Sequence, residues 1–259
     1  MEIDSTLPYR SRWLFRWFSW YAWRYVRRHF HAVRICRDGS PPVIPDGPLL
    51  IVVNHPSWWD PLIVLMMVQR ITARALFAPM DADALMRYRL FARLGMFSIQ
   101  RGTLAGTRQF LRCGKAVLES PQSALIVSAQ GHFIDPRVRP TRLMPGVGHL
   151  AARIGRGTIL PLAIEYPFWS ERFPEALGHF GSPINLSPGV RADEWTTRIE
   201  KALTLAQDQL AAHAKDRNTS AFEMIIAGSA GVGGIYDRWR RIRSAMTNRK
   251  FRYEHGDES

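Results

Sequence analysis

The strongest constraint on the fold is a regular alternation of apolar, strand-like runs with helical segments from residue 49 to about residue 215. Strands are predicted at 49–54, 73–79, 96–100, 123–129, 157–166 and 178–184. Helices are predicted between and after them, at 60–70, 81–95, 103–119, 145–155 and about 190–215. The strand at 157–166 carries a central proline, so we expect it at an edge or an irregular end of the sheet. The alternation predicts an α/β domain with a mostly parallel or mixed central sheet flanked by helices.

Composition indicates a globular domain that prefers anionic partners. Of the 259 residues, 46% are hydrophobic and 22% are charged, and the net charge is +13. A chain of this length can bury a core of its own, and it contains no apolar run long enough to predict a membrane-spanning helix. The positive charge favours nucleic acid, anionic lipid or an acidic small molecule as a partner. Cys36 and Cys113 form no disulfide or metal-binding pattern, so we expect two free thiols.

The segment 9–34 is rich in aromatic and basic side chains, and a single helix is predicted there, after Pro8. On a helical wheel one face is apolar and carries Leu14, Phe15, Phe18, Tyr21, Ala22, Tyr25 and Val26. The opposite side gathers arginines with three tryptophans among them: Arg10, Arg16, Arg24, Arg27 and Arg28, with Trp13, Trp17 and Trp20. This mixture is typical of an amphipathic helix in the headgroup layer of a membrane. A helix that packs on its own domain and a nucleic-acid contact are the alternatives.

The polar turn after the first predicted strand is the candidate site. It reads NHPSWWDPL (54–62), and α/β sheets bind ligands just outside the carboxyl ends of their strands. The spacing allows the Asp60 carboxylate to reach one imidazole nitrogen of His55. Asp60 would orient the ring, and the other nitrogen would accept a proton from an attacking hydroxyl or amine. The alternative is a histidine and an acid near a helix start that only stabilise a turn.

Four blocks in a fixed order resemble the glycerolipid acyltransferase superfamily, of the lysophosphatidate (1-acylglycerol-3-phosphate) acyltransferase type. They are NHPSWWD (54–60), GMFSIQRG (95–102), SAQGHF (128–133) and ILPLAI (159–164). The resemblance implies that His55 is the general base and that Asp60 orients it. It implies substrate-binding roles for Arg101, Gly102, Gln130, Gly131, His132 and Pro161. It also implies fatty acyl transfer from acyl-CoA or acyl-carrier protein to a lysolipid hydroxyl, without a metal or another cofactor.

The third block departs from the Pro-Glu-Gly-Thr-Arg consensus of that superfamily. Gln130 stands at the Glu position, and His132 and Phe133 stand at the Thr and Arg positions. Loss of the arginine removes a bidentate phosphate contact. Three arginines follow, and they either replace that contact or form a solvated loop: Arg137, Arg139 and Arg142. The acceptor therefore stays open between lysophosphatidate, another lysophospholipid, and a glycolipid or aminolipid without phosphate. A non-catalytic lipid-binding protein on the same fold is the second interpretation.

The chain is predicted to contain three segments. Residues 1–37 form a membrane-associated helical segment, 38–218 the acyltransferase domain, and 219–259 a glycine-rich turn, a basic helix and a tail packed on that domain. We expect a monotopic protein on the cytoplasmic face of the inner or plasma membrane. Its expected partners are an anionic lipid surface, an acyl thioester donor and a lysolipid acceptor, and no nucleic acid.

Overall fold

The computed structural model describes residues 7–38 and 44–229 and has the predicted α/β architecture. The described strands are β1 (Ala32–Cys36), β2 (Leu49–Val53), β3 (Ala75–Asp81), β4 (Met96–Ile99), β5 (Ser123–Ser128), β6 (Thr158–Glu165), β7 (Glu175–Phe180), β8 (Ile184–Asn185) and β9 (Phe222–Ala227). The described helices are α1 (Arg12–His29), α2 (Asp60–Ile71), α3 (Ala82–Arg87), α4 (Leu104–Glu119), α5 (Gly146–Ile154) and α6 (Ala192–Asp216), with short 3-10 helices at Arg89–Arg93 and Thr219–Ala221. The predicted basic helix and tail lie outside the described residues.

The described strands form one mixed sheet, as predicted. Their order is β4-β3-β5-β2-β6-β7-β1-β9, and the short β8 pairs with β6. All neighbours from β4 to β6 are parallel, β7 is antiparallel to β6, β1 is parallel to β7, and β9 is antiparallel to β1. Because β2 lies between β5 and β6, the carboxyl ends of these three strands lie side by side. The first, third and fourth sequence blocks therefore belong to neighbouring strands.

Helices cover both faces of the sheet, and the central strand β2 is buried on both sides. Leu49, Ile51 and Val53 pack in the cluster that contains α1 and α2. Leu50 and Val52 pack in the cluster that contains α4, α5 and α6. A strand buried on both faces needs apolar residues at every position, which explains the uninterrupted LLIVV run.

The strand that carries Pro161 lies inside the sheet, so the prediction of an edge or irregular end is wrong. β2 pairs with one side of β6, and β7 and β8 share its other side. The Pro161 carbonyl accepts a hydrogen bond from the backbone N–H of Gly181 at 3.0 Å, between β7 and β8. The N–H and C=O of one strand residue point to the same side. The N–H that proline lacks would therefore point to the gap between two short strands, and the pairing with β2 is undisturbed.

Two segments that the sequence does not identify as strands also belong to the sheet. The predicted helix over 9–34 ends at His29, and β1 follows it; β9 was not predicted. Arg34 interrupts the apolar pattern of β1, and the structure compensates its charge with Glu175 of β7, since Arg34 Nε lies 2.9 Å from Glu175 Oε2. The sheet thus includes strands from the N-terminal and C-terminal segments as well as from the central one.

The predicted helix over 81–95 is also divided. Residues 82–87 form α3, and Arg89–Arg93 form a 3-10 helix after Tyr88, which has φ −115° and ψ 61°. Neither short helix has a buried residue. Without an apolar face to bury, a continuous helix has little tertiary packing to stabilise it.

Helix α1 buries one face and exposes a row of aromatic side chains on the other. Phe15, Phe18, Ala22 and Val26 are buried against the domain, so the apolar face of the helix packs on its own core. Large aromatic residues remain exposed along the helix: Trp13, Trp17, Trp20, Tyr21 and Trp23. The predicted amphipathic helix is therefore present, with exposed aromatics as its distinctive feature. Within the described residues, no helix is both long enough and apolar enough to cross a bilayer.

Candidate active site

The turn between β2 and α2 begins with a buried asparagine that joins two strands. Asn54 Nδ2 donates to the carbonyl oxygen of Ile164 at 2.9 Å, and the Ile164 N–H donates to Asn54 Oδ1 at 2.8 Å. These two bonds continue the contact between β2 and β6 beyond the last residue of β2. They hold the start of the turn against the neighbouring strand, so the position of the following histidine is fixed by the sheet.

His55 and Asp60 are hydrogen-bonded across this turn. Nδ1 of His55 lies 2.6 Å from Oδ2 of Asp60. The Asp60 carboxylate also accepts bonds from the Tyr166 hydroxyl at 2.8 Å and from the Ser57 backbone N–H at 3.2 Å. A carboxylate only accepts, so Nδ1 carries the hydrogen and Nε2 of the neutral ring has a free lone pair. No described residue forms a hydrogen bond with Nε2, and the His55 side chain is 23% exposed.

Burial and hydrogen bonding act in opposite directions on the Asp60 carboxyl group. Burial raises its pKa, and hydrogen bonds from His55, Tyr166 and Ser57 lower it. The pKa of Tyr166 is raised well above its ordinary value by burial and by the nearby Asp60 charge. Tyr166 therefore stays protonated and serves as a permanent donor to the carboxylate. The arrangement stabilises a charged Asp60 in an otherwise dehydrated position.

The turn after β5 supports His55 through its backbone. Gln130 is buried, and its Oε1 accepts the His55 backbone N–H at 2.7 Å. The His55 carbonyl accepts the backbone N–H of Ile134 at 3.0 Å. A neutral amide oxygen is sufficient for this acceptor role, so glutamine at the consensus glutamate position keeps the contact without adding a negative charge.

Phe133 lies on the imidazole of His55. The two ring centroids are 4.6 Å apart with an interplanar angle of 53°. Phe133 is 58% exposed, so its other face is open to solvent or to a bound molecule. An apolar ring thus lies against the His55 imidazole at the position where the superfamily consensus has an arginine. His132 is exposed, and the structure records no hydrogen bond between it and the His55–Asp60 pair.

Arg101 connects two turns at the same end of the sheet. Its Nε donates to Asp81 Oδ2 at 2.7 Å, and its Nη1 donates to the carbonyl of Gly131. The Arg101 hydrogen bond is the main cause of a lowered Asp81 pKa. Gly102 is exposed in the following turn with φ +74°. Arg101 is therefore hydrogen-bonded to the turn after β5, the same turn that supports His55.

The remaining predicted substrate-binding residue, Pro161, lies elsewhere. It is buried within β6 and pairs with Val52, before the end of β2. The structure does not bring it together with the His55–Asp60 pair.

The three arginines after the third block are held by acidic side chains. Arg137 forms an ion pair with Glu165, Arg139 Nη2 lies 2.7 Å from Asp208 Oδ1, and Arg142 Nη1 lies 3.8 Å from Glu200 Oε2. Only Arg137 among them lines the cleft described next. The three arginines therefore do not jointly take the place of the consensus arginine.

A cleft of about 640 Å³ adjoins the turn and was not predicted from the sequence. We call it the Trp169 cleft. Pro56, Ser57 and Tyr166 form the wall that it shares with the His55–Asp60 pair. The rest of its wall is aromatic and charged and includes Asp135, Arg137, Glu165, Phe168, Trp169, Lys215 and Arg217. The aromatic run after the fourth block, YPFW (166–169), is the sequence signal that points to it.

Comparison of the chain with models of protein families identifies a match. Residues 34–165 match the model of the Acyltransferase family. This range is just over half of the 259-residue chain and contains all four sequence blocks. The chain therefore belongs to the Acyltransferase family, in the glycerolipid acyltransferase superfamily. No curated protein matches the chain at a significant level. Family membership assigns a general acyltransferase role.

Replacement of Tyr166 by phenylalanine tests how the buried carboxylate is stabilised. Tyr166→Phe removes one donor from Asp60, whose residue exposure is 1%. We expect the free energy of unfolding at pH 7 to fall by about 1–3 kcal/mol, because the buried carboxylate loses one of its three hydrogen-bond donors. Urea unfolding measures this difference. Tyr88→Phe, which alters an exposed ring, is the control and should change the value by less than about 0.5 kcal/mol.

The stability deficit of Tyr166→Phe should depend on pH. The lost hydrogen bond stabilised the ionised form, so the pKa of Asp60 in the folded variant lies above that in the folded wild type. Between these pKa values the folded variant binds more protons, and the deficit shrinks as the pH falls through them. Burial already places the pKa of Asp60 above the ordinary 3.8. A deficit that grows on acidification from pH 7 towards pH 4 contradicts this account of Tyr166.

Proposed function

We propose that this protein is a membrane-surface acyltransferase that moves a fatty acyl group from acyl-CoA or acyl-carrier protein to the hydroxyl of a lipid acceptor. The observation that carries the proposal is the 2.6 Å contact between His55 Nδ1 and a buried Asp60, while no described residue forms a hydrogen bond with the opposite ring nitrogen. This arrangement suits a general base that acts on a substrate hydroxyl. A purely lipid-binding protein has no need for a buried carboxylate behind an open imidazole.

The reaction follows from the positions of these groups. Nε2 of His55 takes the proton of the acceptor hydroxyl while the acceptor oxygen attacks the thioester carbonyl carbon. The Asp60 carboxylate stabilises the imidazolium that forms. The tetrahedral intermediate then collapses, the carbon–sulfur bond breaks, and the imidazolium returns the proton to the leaving thiolate. The products are the acylated lipid and the free thiol of the donor, and no acyl group is attached to the enzyme.

His55→Ala tests the proposed base. The variant is incubated with a labelled long-chain acyl-CoA, or the acyl-carrier protein thioester, and a panel of acceptors. The panel contains lysophosphatidate, neutral lysolipids, lyso-aminolipids and glycolipids. We expect kcat to fall roughly 10²- to 10⁴-fold, the usual contribution of a general base. His149→Ala, an exposed histidine of α5, should retain wild-type activity. If no pair of donor and acceptor reacts with the wild type while the same lipids bind, the lipid-binding interpretation is preferred.

A second form of the proposal concerns the acceptor. The Phe133 ring beside His55 favours an acceptor that carries no phosphate group. The exposed ring contacts His55 at the position of the consensus arginine. Phenylalanine cannot supply the bidentate contact that an arginine makes to phosphate. An apolar ring there suits a neutral glycolipid, or an aminolipid, at least as well as lysophosphatidate.

Phe133→Arg should shift the choice of acceptor. We expect the ratio of kcat/KM for lysophosphatidate to that for a neutral lysolipid to rise roughly 10- to 150-fold, because a new charge-assisted bond to phosphate contributes about 1.5–3 kcal/mol. Acyl transfer into mixed acceptors measures the ratio directly. Val138→Arg adds the same charge to an exposed position in the same loop and serves as the matched control. An equal rise in both variants would mean that net charge, and not position 133, sets the preference.

The exposed aromatic face of α1 supports attachment to a membrane surface. Trp13 and Trp20 are 75% and 56% exposed on a helix whose other face is buried in the domain. Exposed arginines alternate with these rings, as at Arg12, Arg16 and Arg24. Indole rings favour the interface of a bilayer, and guanidinium groups favour anionic headgroups. We place the protein on the cytoplasmic face of the inner or plasma membrane, which suits its two buried free thiols.

Substitution of the exposed tryptophans tests the membrane surface. We expect the double variant Trp13→Ser/Trp20→Ser to lose most of its flotation with anionic liposomes, because two interfacial anchors are removed. The control is Leu104→Ser/Leu205→Ser, which changes two residues that are 67% and 57% exposed outside α1. Equal losses in the two double variants would reject α1 as the specific anchor. Retention of duplex DNA at matched salt without flotation would instead favour nucleic acid as the partner.

A further inference from the structure

Three side chains of types that bind metal ions lie close together where β1, β7 and α6 meet, two of them from residues 36–38 and the third from residue 179. Cys36 is the last residue of β1, Asp38 follows it, and His179 lies on β7. One ligand atom of each lies within 4.8 Å of the other two. We propose that Cys36, Asp38 and His179, which we call the Cys36 cluster, bind a zinc ion that holds these elements together. No step of the proposed acyl transfer uses these residues.

The separations are close to those of a tetrahedral zinc site. His179 Nδ1 lies 3.5 Å from Asp38 Oδ1. Bond lengths of about 2.0–2.3 Å place two tetrahedral zinc ligands roughly 3.3–3.7 Å apart. The nitrogen–oxygen pair already has that separation, and the remaining pairs need to contract by about 1 Å at most. Rotation of the half-exposed Asp38 side chain can shorten its distance to Cys36. The distance between Cys36 and His179 would have to shorten by rotation of those two side chains themselves.

His179 is the strongest single indication of a ligand. Its side chain is 4% exposed, and its buried Nδ1 has no hydrogen-bond partner in the part of the chain that the structure describes. An imidazole nitrogen that is buried and unpaired carries a free lone pair when the ring is neutral, the form in which histidine binds metals.

Cys36 and Asp38 complete a donor set that favours zinc. Cys36 is fully buried at the end of β1, where an anionic thiolate needs a positive charge beside it. A zinc ion supplies the positive charge that stabilises the thiolate in such a place. A set of sulfur, nitrogen and carboxylate oxygen suits zinc, whereas calcium and magnesium prefer oxygen alone.

His213 connects this cluster to α6. Its Nε2 lies 2.7 Å from Oδ2 of Asp38, which orients the carboxylate and leaves Oδ1 on the side of His179. Lys215, two residues further along α6, and Arg217, which follows the helix, both line the Trp169 cleft. A metal at the Cys36 cluster would therefore stabilise the helix that forms part of that cleft.

Cobalt titration tests the site without reference to activity. The full chain is prepared without a histidine tag, stripped with a chelator and titrated with Co²⁺. We expect one Co²⁺ per chain, a thiolate-to-cobalt charge-transfer band in the near ultraviolet, and displacement by Zn²⁺. The band should be absent in Cys36→Ser. It should persist in Cys113→Ser, which removes the other buried thiol, on α4.

Asp38→Asn is a second test in case Cys36→Ser does not fold. Asp38 is half exposed, so we expect its replacement to leave the fold intact. The Co²⁺ affinity of this variant should be at least tenfold weaker than that of the wild type, by analogy with the loss of supporting groups at metal sites. Added Zn²⁺ should also raise the melting temperature of the wild type and Cys113→Ser more than that of Asp38→Asn. Absence of the band in the wild type, its survival in Cys36→Ser, or unchanged affinity in Asp38→Asn overturns the proposal.

Discussion

The candidate active site depends on the hydrogen bonds that the buried Asp60 carboxylate accepts. It lies in the first turn of α2 and accepts bonds from His55, Ser57 and Tyr166. These donors belong to the turn after β2 and to the residue that follows β6, so one side chain joins two strands and a helix. A buried charge is tolerated only when its hydrogen-bonding capacity is used, and here three donors serve that purpose. The imidazole ring of His55 receives its orientation from the same contacts.

The order of the strands brings a second turn, the one after β5, next to the turn that carries His55 and Asp60. Because β5 and β6 flank β2, the turn after β5 reaches the backbone of His55 through Gln130 and Ile134. The same turn carries Phe133 onto the His55 ring. One turn thus both supports the backbone of His55 and places an exposed aromatic ring against its imidazole. The side chain at position 133 can therefore change without loss of the hydrogen bonds that position His55.

Three regions outside the His55–Asp60 pair differ in the chemistry of their side chains: the exposed face of α1, the Trp169 cleft and the Cys36 cluster. Helix α1 buries phenylalanines in the core and exposes tryptophans and arginines, which combines a structural role with a surface suited to headgroups. The Trp169 cleft has aromatic and charged walls beside the turn that carries His55. The Cys36 cluster contacts α6 through His213, two residues before Lys215 in the wall of that cleft. α6 contributes to both regions, so the stability of its last turns affects the shape of the cleft.

The sequence by itself determined the α/β class, most helix and strand positions, and the spacing that pairs His55 with Asp60. These are local properties, because strand and helix periodicity and a five-residue separation need no distant contact. The tertiary structure alone decided that Arg34 belongs to a strand, since its charge is compensated by Glu175 of β7. It also decided that a proline strand lies inside the sheet, and it brought His179 to the end of β1. Each of these depends on which strands are neighbours, and that order is set by the packing of the whole sheet and its helices rather than by any local run of residues.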